Sequence, residues 1–105
     1  MKLIVTIIDD LDVDKVMTAL TGQRIGVTRV SSTGGLLGPG NSTLLIGVDE
    51  SLMPQAMKII EEFATPRQAV VPYGYSVSVP LPGLVEVSVG GYLAFVLNIN
   101  HFEQV

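Results

Sequence analysis

The segment with the clearest chemical potential is residues 33–41, nine residues of which four are glycine. Glycines let a backbone approach a ligand closely and turn its N–H groups toward an anion, as in phosphate-binding loops. Residues 35–42 even have the spacing of a P-loop, but Asn41 replaces the lysine and a predicted strand follows where the P-loop has a helix. The segment therefore predicts either a ligand-binding loop unlike that of a nucleoside triphosphatase, or a plain connection between two strands.

Basic residues are few, and they limit the class of anion that the protein can bind. Six basic against ten acidic residues give a net charge of −4, the wrong sign for binding long nucleic acid through counterion release. Arg24, Arg29 and Arg67 could still serve one small anionic molecule, or could equally be solvated surface side chains. We expect no long nucleic acid partner.

Four aspartates, Asp9, Asp10, Asp12 and Asp14, follow the first apolar run. Carboxylates suit the first turn of a helix because they meet its unpaired backbone N–H groups. A metal cluster is the alternative, but the neighbouring sequence lacks the glycine and the bidentate glutamate of a calcium loop. Helix capping is the favoured interpretation.

Residues for catalysis are missing from the sequence. There is no cysteine, and the single histidine, His101, has no serine, aspartate or second histidine at a plausible catalytic spacing. The sequence predicts a protein that is not an enzyme and needs no metal or other cofactor.

The elements that must position these residues follow from the hydrophobic pattern. Apolar and β-branched runs predict strands, and apolar positions three and four residues apart predict helices. Gly22 is expected just after the first helix, and Ser51 is expected to cap the second. The predicted strands are 2–8, the central one and buried on both faces, then 25–32, 43–48, 85–89 and 92–99, with one helix after residue 10, another after residue 51, and a long Pro- and Tyr-bearing loop at 65–84.

The order of these elements predicts the fold class. It is β-α-β-β-α-β with an extra C-terminal strand, an α+β ferredoxin-like arrangement in one domain spanning 1–105. Charged residues make up only 15% of the chain, which favours burial of surface against further copies of itself. Residues 1–8 reach Asp9 too soon for a signal sequence or membrane span, so we expect a cytoplasmic protein with no membrane partner.

Several separated motifs resemble the PII-like cyclic di-AMP receptor proteins, in the right order and over essentially the whole chain. The matching segments are Thr33–Thr43, Leu44–Val48, Val85–Gly91, Ala94–Val96 and His101–Gln104. The resemblance implies a homotrimer of ferredoxin-like subunits, a nucleotide ligand in each cleft between neighbours, and a downstream protein partner that the sequence does not identify.

The resemblance also implies a set of ligand-binding residues. They come from the second strand, the glycine-rich loop and the C-terminal segment: Thr28, Gly35, Leu36, Leu37, Asn41, Gly47 and Gln104. Thr28, Asn41 and Gln104 offer hydrogen bonds, and Gly47 leaves room for a base. Arg24 joins the candidates because residues 24, 26 and 28 would share one face of the second strand.

The chain departs from the family pattern at three positions. Receptors of this kind commonly have arginine where this chain has Gly26, phenylalanine where it has Leu36, and arginine where it has Gly38. Two functions therefore stay open: a sensor of cyclic di-AMP or a related adenine nucleotide, and a PII-like interaction module that has lost this ligand.

Overall fold

The structure is a computed structural model that describes residues 1–30, 40–72 and 84–105, with the backbone alone for 69–72 and 84–88. The elements are β1 (Lys2–Asp9), α1 (Asp10–Gly22), β2 (Val27–Val30), β3 (Asn41–Val48), a 3₁₀ turn (Glu50–Leu52), α2 (Met53–Ala64), β4 (Arg67–Pro72), β5 (Leu84–Val89) and β6 (Tyr92–Asn98).

Four strands form one antiparallel sheet in the order β2-β3-β1-β6. Its register places Leu3 between Gly47 on β3 and Leu97 on β6, and Thr28 opposite Leu45. With two helices on the sheet, this strand order is consistent with the predicted ferredoxin-like fold. Neither α1 nor α2, the helices in the described part of the chain, is long and apolar enough to cross a membrane.

The extra strands lie in a different place from the predicted one. β4 and β5 pair with each other as a separate antiparallel ribbon, inserted between α2 and β6, whereas the sequence predicted a single extra strand at the C-terminus. The prediction of little regular structure at 65–84 was therefore wrong for residues 67–72 and for Leu84. Pro66 precedes β4 and Pro72 is its last residue, and these prolines led to the prediction of a loop. Proline is nevertheless tolerated at the ends of edge strands, and both strands of a two-stranded ribbon are edge strands.

The core lies on one face of the sheet. Alternate residues of β1 and β3 point toward α1 and α2, which pack on the same face and against each other. The buried apolar cluster consists of Ile4, Ile8, Val13, Val16, Leu20, Ile25, Leu44, Ile46, Val48, Ala56, Ile59, Ile60 and Ala64.

The other face of the sheet is apolar and uncovered in the single chain. Leu3, Val5 and Ile7 of β1 are half-buried there, where the sequence had predicted a strand buried on both faces. On β6 the residues paired with them, Leu93, Phe95 and Leu97, are 60%, 55% and 50% exposed. Because the described residues supply no second layer over these strands, a further copy of the chain could bury this face.

The helix ends confirm one capping prediction and correct two. Asp9 caps α1 by accepting a hydrogen bond from the Leu11 N–H at 2.9 Å. Gly22 is the last helical residue, and the left-handed position is taken by Arg24 with φ 61°. Ser51 lies inside the 3₁₀ turn, so α2 begins without a side-chain cap and with proline in its first turn.

Candidate functional site

A cleft of about 620 Å³ opens where β2 begins, β3 ends and the two chain termini meet. The volume is within the range of pockets that hold cofactors and drug-sized ligands. Its apolar lining comes from both termini and three strands. These residues are Met1, Leu3, Val27, Leu45, Ile99 and Phe102.

Two glycines keep the cleft open. At Gly26 and Gly47 an added Cβ would meet no atom within 4 Å, and neither residue has a positive φ. Backbone conformation therefore does not require glycine at either position. Any side chain placed there would project into the cleft, so the missing side chains are what leave space for a ligand.

Three polar side chains complete the lining: Thr28, Glu103 and Gln104. The hydroxyl and the amide can both donate and accept hydrogen bonds, whereas an ionised carboxylate only accepts. Among the described residues, those that line the cleft include no lysine or arginine. The cleft is therefore apolar with a few hydrogen-bonding groups, and the one charged side chain among the described lining residues is negative.

The C-terminal wall of the cleft is held against the N-terminus. The Ile99 N–H donates a hydrogen bond to the Met1 carbonyl at 3.2 Å, and the Lys2 ammonium donates one to the side-chain oxygen of Asn98. These bonds extend the pairing of β1 with β6 up to the point where residues 99–105 leave the sheet. They place Phe102 and the two residues after it beside β2 and β3.

The structure brings together three of the residues predicted from the sequence, Thr28, Gly47 and Gln104. Arg24 is not among the lining residues. It was expected to share one face of the second strand with residues 26 and 28, but β2 begins only at Val27. Arg24 lies in the turn after α1, where its N–H donates to the Thr21 carbonyl at 2.9 Å.

Asn41 lies at the other end of β3. It pairs with Asp9, whereas Gly47 pairs with Leu3. Asn41 and Gly47 are six positions apart on an extended strand, which corresponds to a distance of about 20 Å. The remaining predicted residues, Gly35, Leu36 and Leu37, lie outside the described residues.

The charged side chains around the Asn41 end of the sheet bind each other. The guanidinium of Arg29 donates to the Ser42 hydroxyl at 3.1 and 3.2 Å, and that hydroxyl donates to Asp10. Arg29 also lies 3.5 Å from a carboxylate oxygen of Asp10 and 4.0 Å from one of Asp14. The side chain of Arg29 therefore stabilises the fold by binding Ser42 and the neighbouring aspartates.

A second ion pair fixes the base of the ribbon. Arg67 donates to both carboxylate oxygens of the buried Asp12, at 2.6 and 3.2 Å. The hydrogen bond to Asp12, together with the charges of Asp12 and Asp9, raises the pKa of Arg67 above its ordinary value. Gly90, with φ 85°, lies so close that an added Cβ would be 2.7 Å from the Arg67 guanidinium. The described aspartates thus serve as caps and ion-pair partners, and no group of metal-ligating side chains occurs among the described residues.

Sequence reasoning missed most of the cleft. Phe102 and Glu103 lie within the segment 101–104 that carried the family resemblance, yet only Gln104 was selected from it. Leu45 could have been found from strand register, since a residue opposite Thr28 must share its face of the sheet. Met1 and Ile99 gave no signal, because their role follows from the meeting of the two termini.

Comparison with known proteins gives one similar solved structure and one matching protein family. A crystal structure of a functionally unknown protein from Pediococcus pentosaceus ATCC 25745 is similar to this chain, with 31% sequence identity and a TM-score of 0.79, covering 99% of this chain and 96% of that one. The model of the cyclic-di-AMP receptor family matches residues 1–105. The fold, the cleft and this full-length match together show that the chain belongs to the cyclic-di-AMP receptor family.

Proposed function

We propose that this protein is a PII-like signalling receptor that binds cyclic di-AMP, or a related adenine nucleotide, in clefts between the subunits of a homotrimer. The observation that carries the proposal is the cleft itself. Residues implied by the family resemblance, Thr28, Gly47 and Gln104, line one cavity of about 620 Å³ although they come from three separate parts of the chain.

The lining suits a nucleobase. Phe102 is 60% exposed and is the one aromatic side chain among the described lining residues. A base stacked on an aromatic ring gains about 1–3 kcal/mol in single-stranded nucleic-acid sites. Thr28 and Gln104 can read the edge of that base, and Gly47 leaves space for its ring. Phe102 would then supply the stacking that family receptors obtain from phenylalanine at the position of Leu36.

A second copy of the chain is needed to complete the site. Asn41 and Gly47 are separated by about 20 Å along β3, too far for both to contact one base in the same subunit. If the Asn41 end of one subunit faces the cleft of the next, the side-chain amide of Asn41 can donate a hydrogen bond to the phosphates of a ligand bound there.

The open face of the sheet supports the same assembly. Leu93, Phe95 and Leu97 are half-exposed or more, and this apolar face continues into the cleft through Leu3 and Leu45. An exposed apolar surface of this kind on a chain with few charges favours an interface between copies. A trimer closed around this face would bury it and place a cleft at each contact.

The β4–β5 ribbon is the surface that we assign to the downstream protein. It forms its own sheet, and Arg67 and Asp12 anchor its base to the body of the subunit. Among the described strands, β4 and β5 pair only with each other, and the outer edge of such a ribbon can accept a strand from a partner.

Isothermal titration calorimetry of the purified protein tests the proposal. Cyclic di-AMP should bind with one site per subunit, and AMP, ATP and cyclic di-GMP serve as the comparison panel. Sedimentation velocity in parallel should give a particle three times the 11.2 kDa mass of the chain. A monomer, or no heat from any nucleotide at 200 µM ligand (roughly −5 kcal/mol as an affinity limit), would contradict the proposal.

The competing function, an interaction module without a nucleotide, is favoured by one observation. Gly26 stands where family receptors commonly have arginine, and the described lining has no other cation to replace it. A trimer that binds no nucleotide in the titration above would support this alternative. Capture of a protein partner that depends on the β4–β5 ribbon would then identify the function.

A further inference from the structure

Glu103 is the one ionisable side chain among the described residues that line the cleft. Its carboxylate is 74% exposed, and the nearest cationic candidate, the His101 Nε2, lies 3.9 Å from Oε2. That separation is too long for a hydrogen bond, and no other described residue donates one to this carboxylate, so its oxygens can accept a hydrogen bond from a ligand.

A carboxylate that is the one charged side chain of the described lining distinguishes between the two halves of a nucleotide. A phosphate brought beside Glu103 meets a like charge, which is unfavourable. An exocyclic amine of a base donates a hydrogen bond to the same oxygen, and bonds to an ionised acceptor are about twice as strong as neutral ones. The part of the cleft beside Glu103 therefore favours the base over the phosphates.

From these contacts, and resting on the proposed function, we infer that Glu103 is a specificity-determining residue that accepts a hydrogen bond from the 6-amino group of the bound purine. Gln104 reads the remaining edge of the base, and Phe102 covers its face. Glu103 follows Phe102 directly, and both belong to the segment 99–105 that follows β6. The ring and the carboxylate therefore line the cleft from the same segment.

The test uses two ligands that differ only at this amine: cyclic di-AMP, and its analogue with unsubstituted purine in place of both adenines. Their affinities for the full-length protein are measured by calorimetry, and the ratio of the two dissociation constants is the readout. The wild-type protein should favour cyclic di-AMP by roughly tenfold. Glu103→Gln, which keeps a neutral acceptor, should lower that ratio to about threefold, and Glu103→Ala should bring it close to one.

The ratio separates a role in specificity from effects on folding or on overall charge, because those effects change both affinities alike. Glu61→Ala removes the same charge from the exposed surface of α2 and should leave the ratio at its wild-type value. A wild-type ratio near one, an unchanged ratio in Glu103→Ala, or a ratio that collapses only in Gln104→Ala would overturn the inference while the receptor function stands. If neither ligand binds, the proposed function itself fails, and the inference falls with it.

Discussion

The two ends of strand β3 use their polar side chains in opposite ways. At the Asn41 end, Arg29, Ser42 and Asp10 form a closed network. At the Gly47 end, Thr28, Glu103 and Gln104 surround a cavity of about 620 Å³. The first end holds the fold together, and the second leaves hydrogen-bonding groups free for another molecule.

This difference shows why the arginines were misleading as ligand-binding candidates. A charged side chain that is already paired within the chain is less available to a ligand. Arg29 and Arg67 both have aspartate partners within 4 Å. The cleft instead depends on small residues and on neutral polar groups, which attract less attention in a sequence. Substitutions within the network of Arg29, Ser42 and Asp10 should therefore change stability, and substitutions at the cleft should change binding.

The largest effect should come from breaking the buried ion pair. Arg67→Met leaves the fully buried Asp12 without its partner, and we expect a loss of about 3 kcal/mol in the free energy of unfolding. The value is at the low end for buried pairs because the side chain of Arg67 is 42% exposed. Urea unfolding at one fixed protein concentration measures it. The control is Lys58→Met, which removes an exposed charge on α2 and should change stability little. Equal unfolding curves for the two variants would show that the Arg67–Asp12 ion pair does not anchor the ribbon.

The second largest effect should come from filling the cleft. Gly47→Val places a side chain where no atom lies within 4 Å, so the subunit should fold normally, while the affinity for cyclic di-AMP should fall by about a hundredfold or more. Calorimetry gives the affinity, and thermal unfolding checks the fold. Gly22→Val is the matched substitution at another uncrowded glycine, outside the cleft, and should bind like wild type. Normal binding by Gly47→Val would place the ligand somewhere else.

A gain in binding should follow from restoring a cation. Gly26→Arg supplies the guanidinium that this cleft lacks, with no clash at the backbone, and should strengthen cyclic di-AMP binding by about tenfold at low salt. The gain should shrink as salt is raised, because the added attraction is screened. Gly26→Met, of similar length and without charge, should show no salt-dependent gain. A tenfold gain with Gly26→Met would mean that packing, not charge, limits the affinity.

The smallest effect should come from Ser42→Ala at the charged end. This change removes the hydroxyl between Arg29 and Asp10 and should cost about 1 kcal/mol of stability. Cyclic di-AMP binding should stay within about twofold of wild type, since the network belongs to the fold. A large loss of binding with intact stability would mean that Ser42 itself contacts the ligand, and that the network is part of the binding site.

The sequence predicted the elements of the sheet and the helix-facing core well, and the reason is periodicity. The alternation of apolar residues in β1 and β3 and the stripe Val13, Val16 and Leu20 in α1 depend only on local pattern. β5 was predicted as a strand at 85–89, but β4 was missed because prolines at both of its ends indicate a loop locally, and only pairing with β5 makes it a strand.

The site was predicted in part, for a related reason. Thr28, Gly47 and Gln104 came from the family resemblance, which carries information about distant contacts that no local pattern contains. Phe102 and Glu103 were passed over because their function depends on where residues 99–105 lie after β6, and that position is set by tertiary contacts such as the bond from Ile99 to Met1. Sequence reasoning therefore located the residues that the strands contribute to the site better than those that the C-terminal segment contributes.

The central claim is that each binding site combines the cleft of one subunit with the Asn41 end of its neighbour, and subunit mixing tests it directly. Asn41→Ala and Gly47→Val should each abolish high-affinity binding in pure trimers. Coexpressed in equal amounts, the two variants should regain wild-type affinity in roughly a quarter of the sites, because random assembly pairs an intact Asn41 with an intact Gly47 at that frequency. A mixture that binds cyclic di-AMP no better than either variant alone would contradict the account.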